Sequence, residues 1–208
     1  ESKKVLKQAA KAHAALAELK GVSGRIPNER ILINTLALQE AKDSSAIENI
    51  ITTHDELYQA DVDAGQYKTL ASKEVHHYAE ALNKGFEIVR KTGLLTENDI
   101  LHLQAIIVEH DAGYRRQAGT VLKNEQTGQT VYTPPQHPDD VVRLMSQFVK
   151  FLNTEEWVDW DPLVKMAVAH NQFESIHPFY DGNGRTGRII NVLYLVKEGL
   201  LDLPVLYL

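Results

Sequence analysis

The residue types best suited to chemistry are gathered in one segment, residues 177–188. Its Gly-Asn-Gly tripeptide at 182–184 tolerates positive φ angles, so successive backbone N–H groups can converge on an anion. The helix expected to begin there adds about half a positive charge at its N-terminus. Arg185 and Arg188 project from its first turn, where guanidinium groups can bind phosphate oxygens in pairs. The segment therefore predicts a phosphate-binding site.

Two further side chains in this segment bring chemistry of their own. Asp181 directly precedes the glycines and is placed to bind Mg²⁺, because this hard cation takes a carboxylate together with substrate phosphates. His177 comes before a Pro-Phe spacer, and a neutral imidazole suits removal of a proton from a hydroxyl. A lone His before Pro is more often structural. The neighbouring Asp, glycines and arginines instead favour a general base.

Two commoner glycine motifs do not fit this segment. Gly182-x-Gly184-x-x-Gly187 has the letters of a dinucleotide-binding fingerprint. That fingerprint must follow a hydrophobic strand, whereas an amphipathic helix and a polar His-Pro-Phe precede it here. A P-loop would need Gly-Lys followed by Ser or Thr, and no such Gly-Lys-Ser/Thr sequence follows the glycines.

Residues 177–188 resemble the signature of Fic-domain proteins, His-x-Phe-x-Asp/Glu-Gly-Asn-Gly-Arg-x-x-Arg, with every defining position present. The resemblance implies a helical Fic fold and transfer of AMP from ATP to a hydroxyl side chain of a target protein. It implies His177 as the general base on a Ser, Thr or Tyr and Asp181 as the Mg²⁺ ligand. The residues implied to bind the nucleotide phosphates are Gly182, Asn183, Gly184, Arg185, Thr186, Gly187 and Arg188.

A second resemblance lies far upstream, at residues 44–49. Their sequence, Ser-Ser-Ala-Ile-Glu-Asn, is similar to the Fic inhibitory motif Ser/Thr-x-x-x-Glu-Gly/Asn, which implies an N-terminal inhibitory helix with Ser44 and Glu48 as its marked residues. Glu48 would pair with Arg188 and deny it to the γ-phosphate. The letters Ser45-x-x-Glu48 also fit a capping box, in which Glu48 only binds backbone N–H groups of its own helix. Arginines beside phosphate would hold an inserted carboxylate, which favours inhibition.

One stretch departs from the helical period and predicts a β-hairpin. Residues 119–123 and 129–133 are rich in β-branched residues, and a polar turn separates them. A lone hairpin is only marginally stable in water, so we expect it to lie against the protein as a flap. In the family this flap pairs with an extended target segment and borders the nucleotide, which implies contacts from Tyr132 and Thr133. A purely structural role for these two residues is an equal alternative.

Helical spacing of apolar residues predicts the elements that position these sites. One stripe predicts a helix ending at Gly21, and a second helix runs from Asn28 or Glu29 towards Lys42. The remaining predicted helices span 68–91, begin after Thr96, cover 141–152, begin at Asp161-Pro162 and follow the glycine motif. The fold class is mainly α, with an N-terminal region at 1–60 and a catalytic core at 61–208. The resemblance implies further helices after this core.

Composition excludes several function classes. With 22 basic and 28 acidic side chains the net charge is −6, so we expect no direct nucleic-acid binding and no attraction to anionic membranes. Cysteine is absent, which removes disulfides, thiolate zinc sites and cysteine nucleophiles. Adjacent His76 and His77 point about 100° apart on a helix and cannot share a metal. His170 and His177 lack a Glu in the spacing of zinc proteases. A cytoplasmic location is expected.

These observations predict a protein adenylyltransferase with ATP as co-substrate, Mg²⁺ as cofactor and Glu48 as its own inhibitor. The partner is a target protein with a hydroxyl side chain, or the chain itself. One alternative is the reverse activity, a phosphodiesterase that removes AMP from modified targets with Glu48 orienting water. Another is a nucleotide-sensing module without turnover, against which the intact His177 argues. The target is left open, and so is the choice between monomer and homodimer.

Overall fold

The computed structural model describes residues 2–25, 29–57, 67, 69–124, 126–154 and 160–206. Its helices are α1 (Lys3–Ser23), α2 (Glu29–Ile47), α3 (Leu70–Thr92), α4 (Glu97–Val108), α5 (Pro138–Asn153), α6 (Pro162–Ile176) and α7 (Asn183–Lys197). Strands β1 (Leu122–Lys123) and β2 (Thr130–Tyr132) form a two-stranded antiparallel sheet. The predicted mainly α fold with a β-hairpin is confirmed. Over these ranges, no helix is both long and apolar enough to span a bilayer.

Local side-chain chemistry explains where several helices begin and end. Thr96 and Asp99 form a reciprocal capping box at the start of α4, with Thr96 N–H donating to the Asp99 carboxylate at 2.8 Å. Asp161 accepts from Leu163 N–H at 2.9 Å ahead of a proline in the first turn of α6. Gly93 ends α3 in the left-handed conformation, with φ of 68°. These boundaries follow from sequence signals alone.

Two helices extend beyond their predicted ends. α1 continues through Gly21 to Ser23, because an exposed glycine weakens a helix by only about 1 kcal/mol and does not by itself break it. α2 continues past Lys42 to Ile47. The added turn of α2 buries two serines against the protein, Ser44 and Ser45, which are 3% and 0% exposed. Tertiary packing therefore decides the length of α2.

The hairpin strands are shorter than predicted, with two and three residues in place of five each. The register shifts between Leu122 and Lys123, which marks a bulge. The polar turn between the strands is held by Asn124, whose side-chain oxygen accepts from the N–H groups of Gln126 and Thr127 at 3.0 Å. Val131 in β2 is 71% exposed, so this sheet face is open to solvent.

α3 is the central element of the core and packs against α2, α4 and α7. Gly85 lets α3 pack closely on α7, since a Cβ there would collide with the side chain of Leu193. Ten of the 15 residues of α7 are buried, and the part from Ile189 onwards is mostly apolar, whereas its first turns carry the polar glycine motif. The core residues shared by α3 and α7 include Val75, Tyr78, Leu82, Phe86, Ile189, Val192 and Leu193. This packing fixes the start of α7, where the glycine motif lies.

Candidate active site

The motif forms a tight loop between the end of α6 and the start of α7. His177 follows α6 in the left-handed conformation, with φ of 48° and ψ of 60°, which is uncommon outside glycine but better tolerated by His than by branched residues. Gly182 precedes α7 with φ of 79°, and a Cβ there would approach Val108 Cγ1 to 3.0 Å. Only glycine avoids both the backbone strain and this crowding.

Two amides hold the loop in shape. Asn183 is 4% exposed, and its side chain accepts from Phe179 N–H and donates to Phe179 O, each at 2.9 Å. Gln104 on α4 donates to the backbone oxygen of Asp181 at 3.0 Å. The Asn183 side chain therefore orients the loop, and its contribution to an anion site is limited to its backbone N–H.

A cavity of about 130 Å³ opens over this loop. Its lining residues are Glu48, His177, Tyr180, Asp181, Gly182, Asn183, Gly184 and Arg185. The fold thus brings the predicted base, the predicted metal ligand, the glycines and the Glu of the second motif to one place. Pockets for small ligands usually enclose roughly 300–1,000 Å³, so this cavity with Glu48 in its wall is too small for a whole nucleotide.

Two larger grooves lie elsewhere, with volumes of about 440 and 750 Å³. The first is lined by residues such as Leu144, Phe148 and Phe151, and the second by Val5, Ala9 and other residues of α1 and α6. Among the described residues, their linings are mostly apolar and carry no acid or histidine. Volume alone therefore does not locate the chemistry of this fold.

His177 is electrostatically suited to act as a base. Burial lowers the pKa of its imidazole, and the nearby positive charge of Arg115 lowers it further. The backbone carbonyl of Glu174 and the charge of Glu48 oppose this shift. The net direction keeps His177 neutral near pH 7, with a ring nitrogen free to accept a proton.

Arg188 is held by the second motif. Its Nε donates to Ser44 Oγ at 2.6 Å, and its Nη2 donates to Ser44 O at 3.0 Å and to Glu48 Oε1 at 2.9 Å. The Glu48 carboxylate also lies directly against Gly184, because a Cβ at that glycine would collide with Glu48 Oε1. A carboxylate therefore stands at the glycine backbone where the sequence predicts an anion.

The shape of the α2 terminus places Glu48 there. Ile50 N–H donates to Ser45 O and Asn49 N–H donates to Ala46 O, both at 3.1 Å, and Asn49 has φ of 62°. This is a Schellman motif with Glu48 as C-cap and Asn49 as the left-handed residue. The capping-box interpretation of Ser45 and Glu48 is wrong, because Ser45 lies in the last turn of α2 and begins no helix. An acid at the negative end of a helix dipole gains nothing from that helix, so its stabilising partner is Arg188.

Arg185 is less available to phosphate than the sequence suggests. Its side chain is 4% exposed and donates to Glu74 on α3 at 2.9 Å and to Asp181 at 3.3 Å. Both guanidinium contacts are charge-assisted, so Arg185 links α3 to the loop that carries the predicted metal ligand. In this structure it orients Asp181, whose own side chain is 75% exposed.

The other predicted nucleotide contacts lie outside the cavity. Thr186 is fully buried, and Gly187 packs so closely on α6 that a Cβ would approach Glu174 Oε1 to 2.6 Å. Tyr132 in β2 is 43% exposed and Thr133 follows it, and neither is among the described lining residues. Nucleotide contacts from Tyr132 and Thr133 therefore stay a prediction.

Sequence reasoning missed three residues that contact the loop of the site: Gln104, Arg115 and Glu74. Gln104 gave a usable signal, since it is a polar residue at a core position of α4, one turn after the buried Ile100. Glu74 lies on α3 beside Val75, and nothing in the neighbouring sequence indicates that it pairs with Arg185. Arg115 lies in a loop and is 2% exposed, although its neighbour Arg116 is exposed. Sequence spacing does not reveal either of these partners.

The protein supplies only part of a Mg²⁺ site at Asp181. Within the described ranges, no group of three His, Cys, Asp or Glu residues could hold a metal alone. A single exposed carboxylate beside an anion site is the usual protein share for Mg²⁺, which keeps several waters and takes its other ligands from substrate phosphates. The donor set thus agrees with a metal that binds together with a nucleotide.

Comparison with known proteins agrees with this geometry. Residues 6–87 match the family model for the Fic/DOC family N-terminal region, and residues 94–195 match that for the Fic/DOC family. A protein adenylyltransferase Fic from Drosophila ananassae is 33% identical over 105 residues, 50% of this chain and 20% of that relative. A protein adenylyltransferase fic-1 from Caenorhabditis briggsae is 37% identical over 65 residues, 31% of this chain and 13% of that relative. The matches span a fifth or less of these curated relatives.

Solved structures share the fold. A Fic-domain signalling protein from Bacteroides thetaiotaomicron is 21% identical with a TM-score of 0.71, covering 93% of this chain and 72% of that chain. A Fic family protein from Desulfovibrio desulfuricans is 25% identical with a TM-score of 0.71, covering 98% of this chain and 62% of that chain. Since two family models together account for residues 6–87 and 94–195, this chain belongs to the Fic/DOC family.

Proposed function

We propose that this chain is a Mg²⁺- and ATP-dependent protein adenylyltransferase that its own Glu48 holds in a restrained state. The observation that carries the proposal is the shared cavity of His177, Asp181 and the glycine loop, into which Glu48 is inserted and held by Arg188. The curated relatives named protein adenylyltransferase support the reaction type. Incubation with ATP and a cell lysate, followed by mass spectrometry of modified peptides, tests the activity and identifies the target.

In the proposed mechanism His177 removes the proton from a target Ser, Thr or Tyr hydroxyl. The hydroxyl oxygen attacks the α-phosphorus of ATP in line, the bond to the β-phosphate oxygen breaks, and pyrophosphate leaves. The backbone N–H groups of Asn183 and Gly184, at the start of α7, bind phosphate oxygens, so charge is stabilised by groups that are already in place. Because burial and Arg115 keep His177 neutral, the base is in its active form near pH 7.

Asp181 is the residue that would hold Mg²⁺ together with the nucleotide. Mg²⁺ bound there supplies charge neutralisation on the phosphates. The contact from Arg185 and the Gly182 N–H donation at 2.6 Å orient the Asp181 carboxylate before any ligand arrives. This preorganisation lowers the cost of assembling the site.

Glu48 acts as the inhibitor in this proposal through competition for Arg188. While Arg188 donates to Ser44 and Glu48, it is not free to bind a γ-phosphate. The carboxylate also places negative charge against Gly184, which repels the triphosphate. ATP then binds weakly or with its α-phosphorus out of line for attack.

One observation also favours the reverse activity as a second candidate. Glu48 is 41% exposed and lines the cavity with His177, so its carboxylate could orient a water towards a bound phosphodiester. Incubating the chain with a pre-modified target distinguishes the two directions. Release of AMP that requires both Glu48 and His177 would support the phosphodiesterase.

Asp181→Ala should weaken Mg²⁺-dependent nucleotide binding by about tenfold or more, because it removes the carboxylate proposed to hold the metal at the anion site. Binding in the presence of excess chelator should change little. Calorimetric titration with ATP, with and without Mg²⁺, measures both. Asp139→Ala is the matched control, since Asp139 is 92% exposed on α5. Equal Mg²⁺ dependence in wild type and Asp181→Ala would show that the metal binds elsewhere.

A further inference from the structure

Arg115 is the largest fully buried side chain among the described residues, and the mechanism above assigns it no contact with substrate. Its Nε donates to His177 O at 2.7 Å, and its Nη2 donates to Ile176 O at 3.2 Å and to Pro135 O at 2.5 Å. Its own N–H donates to Pro178 O at 2.9 Å. Arg115 therefore joins the end of α6, the backbone of His177 and the segment that follows β2.

The first two acceptors are carbonyls that a helix leaves without partners at its C-terminus. A guanidinium is well suited to them, because its fork of donors can reach several oxygens at once and its charge favours the negative end of the helix dipole. His177 is in the left-handed region, where a non-glycine residue persists only when its surroundings fix it. The contact from Arg115 to the carbonyl of His177 supplies that restraint.

The third acceptor, Pro135 O, connects Arg115, and through it His177, to the flap. Pro135 follows β2, and the next residue, Gln136, donates to Thr120 O at 3.0 Å and accepts from Gly119 N–H at 2.7 Å. These contacts close the base of the hairpin. Arg115 thus bridges the closed end of the flap and the peptide that carries His177.

From this geometry we propose that Arg115 is a positioning residue for the general base His177. Arg115 fixes the backbone of His177 and couples it to the closed end of the flap. The inference deepens the proposed function, because the role exists only if His177 is the base. Arg115 does not touch the cavity. It should therefore act on the rate of the chemical step and little on nucleotide binding.

If Arg115 were purely structural, its replacement would lower only the stability of the fold. The effect of the Arg115 charge on the His177 pKa therefore provides a second readout. Among the described residues, those that act on the His177 imidazole are Arg115 from the loop after α4, Glu48 from α2 and Glu174 from α6 through its backbone, while Tyr180, Asp181 and Arg185 line the same cavity. Of these, Arg115 is the one that depresses the His177 pKa by its charge, and Glu48 acts in the opposite direction. Removing the Arg115 charge should raise that pKa and move the acidic limb of the rate profile to higher pH.

Two variants separate position from charge. Arg115→Gln removes both the positive charge and the branched set of guanidinium donors. Arg115→Lys keeps the charge but cannot make all three side-chain hydrogen bonds to backbone oxygens. In a Glu48→Gly background, both should lower kcat by about 10- to 100-fold while KM for ATP changes less than about twofold. Only Arg115→Gln should move the acidic limb. Arg116→Gln, the same change at an exposed neighbour, is the matched control.

A measurement without turnover keeps this inference separate from the proposed function. NMR titration of ¹³C-labelled histidines, with His177 assigned as the resonance missing from His177→Ala, should show a higher His177 pKa in Arg115→Gln than in wild type or Arg115→Lys. If Arg115→Gln fails to fold, Arg115→Lys decides through kcat. A folded Arg115→Lys with the kcat of its parent would overturn the positioning role, and an unchanged His177 titration in folded Arg115→Gln would overturn the charge effect. Failure of AMP transfer in all chains would affect the proposed function and leave the titration result standing.

Discussion

His177→Ala should reduce AMP transfer by at least about 10²-fold while nucleotide binding stays nearly unchanged. The imidazole lines the cavity as a neutral base, and general-base catalysis of this kind contributes about 10²–10⁴-fold. Its removal takes away proton transfer but none of the backbone N–H groups at 182–184. Initial rates of labelled AMP incorporation, beside the ATP affinity from calorimetry, measure both quantities.

His137→Ala is the matched control for this variant. His137 precedes α5, is 68% exposed and makes no side-chain cap, so its replacement should leave transfer at the wild-type rate. Undiminished transfer by folded His177→Ala would remove His177 from the mechanism. A parallel loss of ATP binding would instead indicate that His177 acts in binding.

Glu48→Gly should raise AMP transfer by about tenfold or more. The substitution frees Arg188 from its carboxylate partner and removes negative charge from the surface of Gly184. Hydrogen bonds between charged groups are worth about 1.5–3 kcal/mol. Glu48 is 41% exposed, so solvent screening places the pair at the lower end, which corresponds to roughly a tenfold change in rate. Initial rates of incorporation into an added target or into the chain itself measure the change.

Glu109→Gly makes the same substitution at another helix terminus. Glu109 ends α4 in the left-handed conformation and pairs with Lys73 outside the cavity, so transfer should not rise. Arg188→Ala should also fail to activate, because it breaks the inhibitory pair and removes the γ-phosphate ligand together. An Arg188→Ala protein as active as Glu48→Gly would refute competition for Arg188 as the cause of inhibition.

Local sequence was sufficient to predict the features whose causes are local. The capping box at Thr96 and the Asp161-Pro162 start of α6 depend on side chains a few residues from the backbone groups that they bind. The positive φ of Gly182 is likewise a local feature, because glycine adopts it without strain. These parts of the site were predictable for physical reasons, independently of family resemblance. The need for glycine at 184 is not local, because the space that a Cβ would fill is occupied by the distant Glu48.

The unpredicted parts depend on residues that are distant in sequence. The position of Arg185 in the motif predicts a phosphate ligand. In the structure it instead pairs with Glu74, which lies 111 residues away in sequence. The prediction took α2 only towards Lys42, whereas the helix continues to Ile47, and in this added turn Ser44 contacts Arg188, which lies 144 residues away. Arg115 had no local signal, since its three acceptors are backbone oxygens brought together only by the fold.

The central claim is that the chain transfers AMP with His177 as general base and that Glu48 restrains this activity. The most direct test incubates wild type, Glu48→Gly and the double variant Glu48→Gly/His177→Ala with ATP labelled at either the α- or the γ-phosphate. The account predicts that α-label becomes attached to protein about tenfold faster in Glu48→Gly than in wild type, that the double variant returns to background, and that γ-label is never retained. A folded Glu48→Gly protein with no more α-label than wild type would contradict the account.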